Sequence, residues 1–260
     1  MEFFINEIIE DEEVKKLLIS DNEMNKKASE ISKDIINGNI PSLQNGILPI
    51  FVLGHLSEYA LKINTEKGIS KEITVNTLKD INIWIQNYKS RYNQLGLDEF
   101  NWLRNHYTGV LFKIGRLQFK IAKSLSGVPS GEYAIETHIP QGEALNIDDC
   151  LLSFELAKSF FDKYFPEKKP QYFMCDSWLL NPNLEKVLGS ESNIVKFMRL
   201  WTPFPFKSDD SKQAIKRVFG FDFDKSNFIN APENTSLQKN LKKYLMNGGN
   251  MDITAGWRKI

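Results

Sequence analysis

Apolar positions in the N-terminal part of the chain recur at steps of three and four. Val14, Leu17 and Leu18, then Ala28, Ile31 and Ile35, fall at helical spacing, and Asn37-Gly38 supplies a stop. A further helix follows Pro49, with Phe51, Val52, His55, Leu56, Tyr59 and Ala60 on its apolar side. Another starts near Thr77, where Leu78, Ile81, Trp84, Ile85 and Tyr88 make a wide stripe. From Thr108 the period changes to two. Leu111, Lys113, Gly115 and Leu117 alternate with Phe112, Ile114, Arg116 and Gln118, which predicts strand with a bend or bulge at Gly115. SLSGVPSGE (124–132) reads as a loop, and YAIETHI (133–139) as a short strand ended by Pro140.

A helix follows, with Asn146 as N-cap and Asp148 and Asp149 suited to its positive first turn. Its expected buried face is Ile147, Leu151, Phe154, Phe161 and Phe165. YFMCDSWLL (172–180) reads as a buried strand, with a helix around 184–200, an aromatic segment WTPFPF and a helix over 211–219 behind it. Thr235-Ser236-Leu237-Gln238 fits a capping box that opens a helix closed by Asn247-Gly248-Gly249, and MDITAGWRKI can add a last strand. Strands after helices predict an α/β (α+β) protein with a helical N-terminal part, divided as 1–107 and 108–260.

Composition narrows the function classes. The chain has 260 residues, 42% of them hydrophobic, which suits one large domain or two unequal ones. Lys plus Arg (33) equals Asp plus Glu (33), so no bulk field draws it to nucleic acid or to an anionic membrane. The acidic start MEFFINEIIEDEE does not read as a signal peptide, and the apolar run GILPIFVLG is too short to span a bilayer. A cytoplasmic location is therefore expected, with Cys150 and Cys175 as thiols.

Three histidines, His55, His106 and His138, argue against a histidine-rich metal site, and no metal is expected. Nucleotide-binding glycine motifs and Cys-x-x-Cys are absent. His55, near an apolar face, reads as structural. Alternation places Cys175 and Ser177 on one face of their strand, with Met174, Asp176 and Trp178 on the other. It also puts Glu136 beside His138, a pair that serves either as a structural hydrogen bond or as a general base with an orienting carboxylate. Gln141 and Gly142, in the loop before the Asn146 helix, can offer backbone amides to a phosphate. Glu143, Asp148 and Asp149 beside them would repel one.

Several segments together resemble a known family. HIPQGEALNIDDCLLSFELAKSFFDKYFP, CDSWLLNPNLEKVL, SNIVKF and NTSLQKNLKKYLMNGG are similar to bacterial acyltransferase proteins with a GNAT-like C-terminal domain. INIWIQNY and WLRNHYTGVLFKIGRLQF resemble the helical N-terminal acyltransferase domain that accompanies it, so the resemblance runs from about Ile81 to the end. It implies a mixed twisted sheet flanked by helices that binds an acyl thioester between two parallel strands, here YAIETHIP and YFMCDSWLL. It implies transfer of an acyl group from acyl-CoA or an acyl carrier protein to an amine acceptor. His138 would be the base, oriented by Glu136, with Ser177 or a strand amide at the oxyanion and Cys175 as a possible nucleophile in the same cleft. The family's pyrophosphate loop, Gln/Arg-x-x-Gly-x-Gly/Ala, is not matched by PQGEALNIDD, so Arg116 or Arg199 would face the phosphates. Two other readings are a catalytically silent GNAT-like domain that binds a protein or peptide, and a Cys-His thioesterase or hydrolase.

Overall fold

The computed structural model describes residues 1–260 and divides into two compact units. The first comprises Met1–Lys120 with Ile139–Glu143, and the second Ile121–His138 with Ala144–Ile260.

In the first unit, a π-helical turn over Phe4–Ile8 leads into α1 (Glu12–Ser20), α2 (Asn22–Ile36), α3 (Leu48–Glu66), α4 (Lys71–Leu78), α5 (Ile81–Tyr92) and α6 (Phe100–Tyr107). Side-chain oxygens start three of these helices. Asp11 accepts from Glu13 and Val14, Asp21 from Met24, and Ser70 from Ile73, which satisfies amides that a helix leaves open. Phe4, Ile8, Leu53, Leu56, Ile85 and Leu103 are buried, and Phe4 meets the ring of Tyr107 edge-on at 6.2 Å. A buried carboxylate, Asp80, accepts from Trp84 Nε1 at 2.9 Å and Gln118 Nε2 at 3.0 Å. His106 Nε2 lies 3.6 Å from it. Burial, then the Asp80 charge, pushes the Tyr107 phenol well above its ordinary range, and its hydroxyl donates to Leu78 O.

The predicted alternation after Thr108 gives a hairpin of β1 (Phe112–Ile114) and β2 (Leu117–Lys123), paired antiparallel from Phe112↔Phe119 to Ile114↔Leu117. Gly115, with φ of +64°, makes the turn, a conformation that costs a residue with a Cβ.

The second unit carries β3 (Tyr133–His138), α7 (Ile147–Tyr164), β4 (Tyr172–Ser177), α8 (Leu184–Leu188), α9 (Asn193–Met198), β5 (Thr202–Phe204), α10 (Lys212–Phe219), α11 (Ser236–Met246) and β6 (Thr254–Lys259). Here β3, β4, β6 and β5 lie side by side in that order. β3 and β4 are parallel, with α7 as their connection, while β6 is antiparallel to both β4 and β5. The architecture is a mixed α/β one, as expected.

Packing corrects local readings. The buried face of α7 is Cys150, Ser153, Phe154, Ala157, Phe160 and Phe161, whereas Leu151 is exposed. β4 stops at Ser177, whose Oγ accepts from Leu179 N, and Trp178–Leu180 forms a 3-10 turn. The run expected to be one helix over 184–200 breaks at Gly189, whose φ is +74°. The capping box is present, with Thr235 and Gln238 bonding each other's backbone amides.

One face of this sheet is covered by α7, where Phe154 packs edge-on against Phe173 at 4.9 Å and Trp201 at 5.6 Å. Arg258 lies over the same ring at 4.2 Å. A second core joins Trp178, Leu184, Val187, Val195, Ile215, Leu241 and Met251 beneath α8 to α11. On the other sheet face, Val128, Ala134 and Met174 form a smaller cluster with Phe204 and Trp257. Gly127 lies so close to the Phe204 ring that no Cβ would fit there.

Candidate active site

β4 pairs with β6 along all of Tyr172–Ser177, but β3 and β4 pair only at Ile135↔Phe173 and Glu136↔Met174. Thr137 and His138 on β3, and Cys175 to Ser177 on β4, therefore extend beyond the last paired position. Parallel strands that stop pairing leave a gap at the sheet centre, where backbone polar groups are available to a ligand.

Register decides which side chains share a face. Neighbours in register point the same way, and alternation then groups Glu136 and His138 with Met174 and Asp176. Thr137 falls with Cys175 on the opposite face, the one that carries Phe173 and packs on α7. Burial follows the same division: Glu136, His138 and Asp176 are partly exposed, while Thr137 and Cys175 are buried.

His138 Nε2 lies 3.0 Å from Glu136 Oε1, with side-chain exposures of 21% and 16%. The two groups thus stand within ion-pair distance of each other on this face, and a carboxylate so placed favours the protonated imidazole. Asp176 adds a third ionisable group to this face. Sequence alternation alone could not nominate it, because only the pairing with β3 shows which face carries the histidine.

Cys175 and Ser177 do not share a face with His138, contrary to the single cleft expected for them. Cys175 is 1% exposed. Burial, then the charges of Asp176 and Glu136, pushes its thiol well above the ordinary range, which is the opposite of what activates a nucleophile. Ser177 is committed to capping the turn after β4, at 3.2 Å from Leu179 N.

The expected phosphate contacts have other partners. Arg116 is buried, and its Nη2 donates to Glu143 O, while Lys113 Nζ meets the Glu143 carboxylate at 2.6 Å. Arg199 follows α9, where its Nε donates to Glu185 at 2.8 Å. Gln141 exchanges side-chain hydrogen bonds with Asn87, and Gly142 has a φ of +109°. At the start of α7, Asn146 Oδ1 already accepts from the amides of Asp148 and Asp149, and both first-turn carboxylates are exposed. That terminus does not fit a pyrophosphate. His55 is pulled below its usual range, chiefly by burial, in keeping with a structural role. No group of three or more His, Cys, Asp and Glu side chains is placed to hold a metal ion, and no helix is long and apolar enough to cross a membrane.

Residues 111–258, which include this parallel pair and its connecting helix, match the GNAT-like C-terminal domain. Residues 4–109 match the N-acyltransferase N-terminal domain. The chain belongs to the N-acyltransferase-like proteins with a GNAT-like C-terminal domain. Curated protein sequences give no match. Among solved structures, an acyltransferase in complex with decanoyl-CoA and teicoplanin is similar with a TM-score of 0.76 at 23% identity, over 99% of this chain and 82% of that one. A mutant acyltransferase in complex with octanoyl-CoA gives 0.78 at 22%, over 99% and 86%. An acyltransferase in complex with CoA and 10C-teicoplanin gives 0.76 at 22%, over 99% and 82%. At these identities the likeness establishes the fold. The partly exposed face of the GNAT-like domain thus carries Glu136, His138 and Asp176, and its covered face carries Thr137 and Cys175.

Proposed function

We propose that this protein moves an acyl group from acyl-CoA to an amine by direct transfer at the gap between β3 and β4. The observation that carries the reading is the His138–Glu136 pair on a partly exposed face, immediately past the last paired position of two parallel strands. Support for the donor comes from the similar acyltransferases, whose structures hold decanoyl-CoA, octanoyl-CoA or CoA. Two of them also hold teicoplanin or 10C-teicoplanin, so teicoplanin is one acceptor to try.

In this reading His138, steadied by Glu136, takes a proton from the attacking nitrogen as the C–N bond forms. A backbone amide at the strand ends holds the negative charge that develops on the carbonyl oxygen. The C–S bond then breaks, the CoA thiolate leaves, and the imidazolium returns the proton to it. No covalent enzyme intermediate is needed, in accord with the inert setting of Cys175. The capped, acidic start of α7 implies that the CoA phosphates are held by other residues than in the usual family loop.

Calorimetry with decanoyl-CoA tests the donor. A ligand that binds only the folded protein stabilises it by about 2.7 kcal/mol at a hundredfold excess over Kd. Failure of every acyl-CoA and acyl carrier protein to bind or to raise the melting temperature would sink the proposal. It would leave the reading of a silent binding domain, which the blocked phosphate site at α7 favours.

A further inference from the structure

We propose that the Thr137 hydroxyl binds the amide-bearing arm of the CoA thioester, from the side of the strand gap opposite His138. The inference rests on the acyl-CoA reading above and adds a contact to it. Thr137 is the first β3 residue past the last paired position, Glu136↔Met174, and register sets it beside Cys175 on the face packed against α7. Thr137 is 2% exposed, and its Oγ1 has no hydrogen-bond partner in the protein. A hydroxyl sealed from water without a partner is costly to the fold, and valine would fill the same volume on a strand at no such cost.

At that position only a group able to enter the gap can satisfy the hydroxyl, which both donates and accepts. The arm of CoA carries amides with both an N–H and a C=O, and it must lie next to the thioester. The other polar group on this wall, the Cys175 thiol, is a weak hydrogen-bonding partner. Donor and acceptor would then approach from opposite faces, with the donor arm on the Thr137 side and the amine on the His138 side.

The test is calorimetry of wild type, Thr137→Val and Thr137→Ser with free CoA and with decanoyl-CoA, together with melting of each protein alone. Thr137→Val is expected to melt at or above the wild-type temperature and to raise Kd for both ligands about fivefold, the size of one hydrogen bond. Thr137→Ser, which keeps the hydroxyl, should restore binding. Equal affinities in wild type and Thr137→Val would overturn the proposal, and so would weaker binding accompanied by a lower melting temperature, which marks a structural role. Loss confined to decanoyl-CoA would overturn the assignment to the arm, since only the thioester carbonyl distinguishes the two ligands near the gap. If the wild type binds neither, the acyl-CoA reading itself fails and takes this contact with it.

Discussion

Replacing Cys175 by alanine separates direct transfer from a covalent route. An ordinary thiol is about 3% thiolate at pH 7. Burial first, then the carboxylates of Asp176 and Glu136, drives Cys175 below that fraction, and its register turns it away from His138, which could otherwise activate it. The residue is 1% exposed, so the substitution removes one buried heavy atom. That is comparable with Ile to Val, about 1 kcal/mol, or about 2–4 °C in Tm for a domain of this size. The kcat of Cys175→Ala should stay close to wild type, whereas loss of an obligatory nucleophile can cost on the order of 10⁶-fold. Two readouts suffice: steady-state CoA release with a saturating amine, and intact mass after rapid mixing with acyl-CoA. An acyl adduct on Cys175, or a loss of kcat beyond a hundredfold in a variant that still melts cooperatively, would refute the reasoning.

Phe154→Ala should be among the most destabilising changes in the second unit, because Phe173, Trp201 and Arg258 all rest on that ring. A cost of about 3–5 kcal/mol is expected by chemical denaturation, and a loss below about 1 kcal/mol would show that the α7 contact with the sheet is misassigned. Lys113 holds the Glu143 carboxyl below its usual range, so the pair stabilises the fold above the ordinary glutamate pKa of about 4.3 and loses that contribution as pH falls through the lowered value. With Glu143 60% exposed, Lys113→Met should cost under about 1 kcal/mol at pH 7. The difference from wild type should shrink as pH falls through that lowered value, and shrink in high salt; a pH-independent difference would point to packing instead.

Where a signal was local, the sequence carried it. Asn146 and the Thr235 capping box announced their helices through adjacent residues, and Gly115 marked a break in the strand pattern, which in the structure is a hairpin turn rather than a bend or bulge. The pairing of β3 with β4 is not local, and alternation within one strand cannot say which of its faces meets His138. Hence alternation groups Cys175 with Ser177 and Asp176 with the other face, but cannot tell which of the two carries the histidine. Ser177 ended its strand early because its own hydroxyl and Gln213, from α10, capture the amides of Leu179 and Trp178. Arg116 and Arg199 looked available as chain positions, but Glu143 and Glu185 meet them only once the chain is folded. Thr137 carries no signal in the sequence, because an unsatisfied hydroxyl is a property of its surroundings and a threonine in a strand is otherwise ordinary.

The role of His138 is tested most directly by the rate of CoA release from acyl-CoA in the presence of primary amine acceptors, compared between wild type and His138→Ala. General base catalysis predicts a fall of about 10²–10⁴-fold in kcat, with the melting temperature and the acyl-CoA Kd unchanged. Wild-type turnover in His138→Ala would contradict the account.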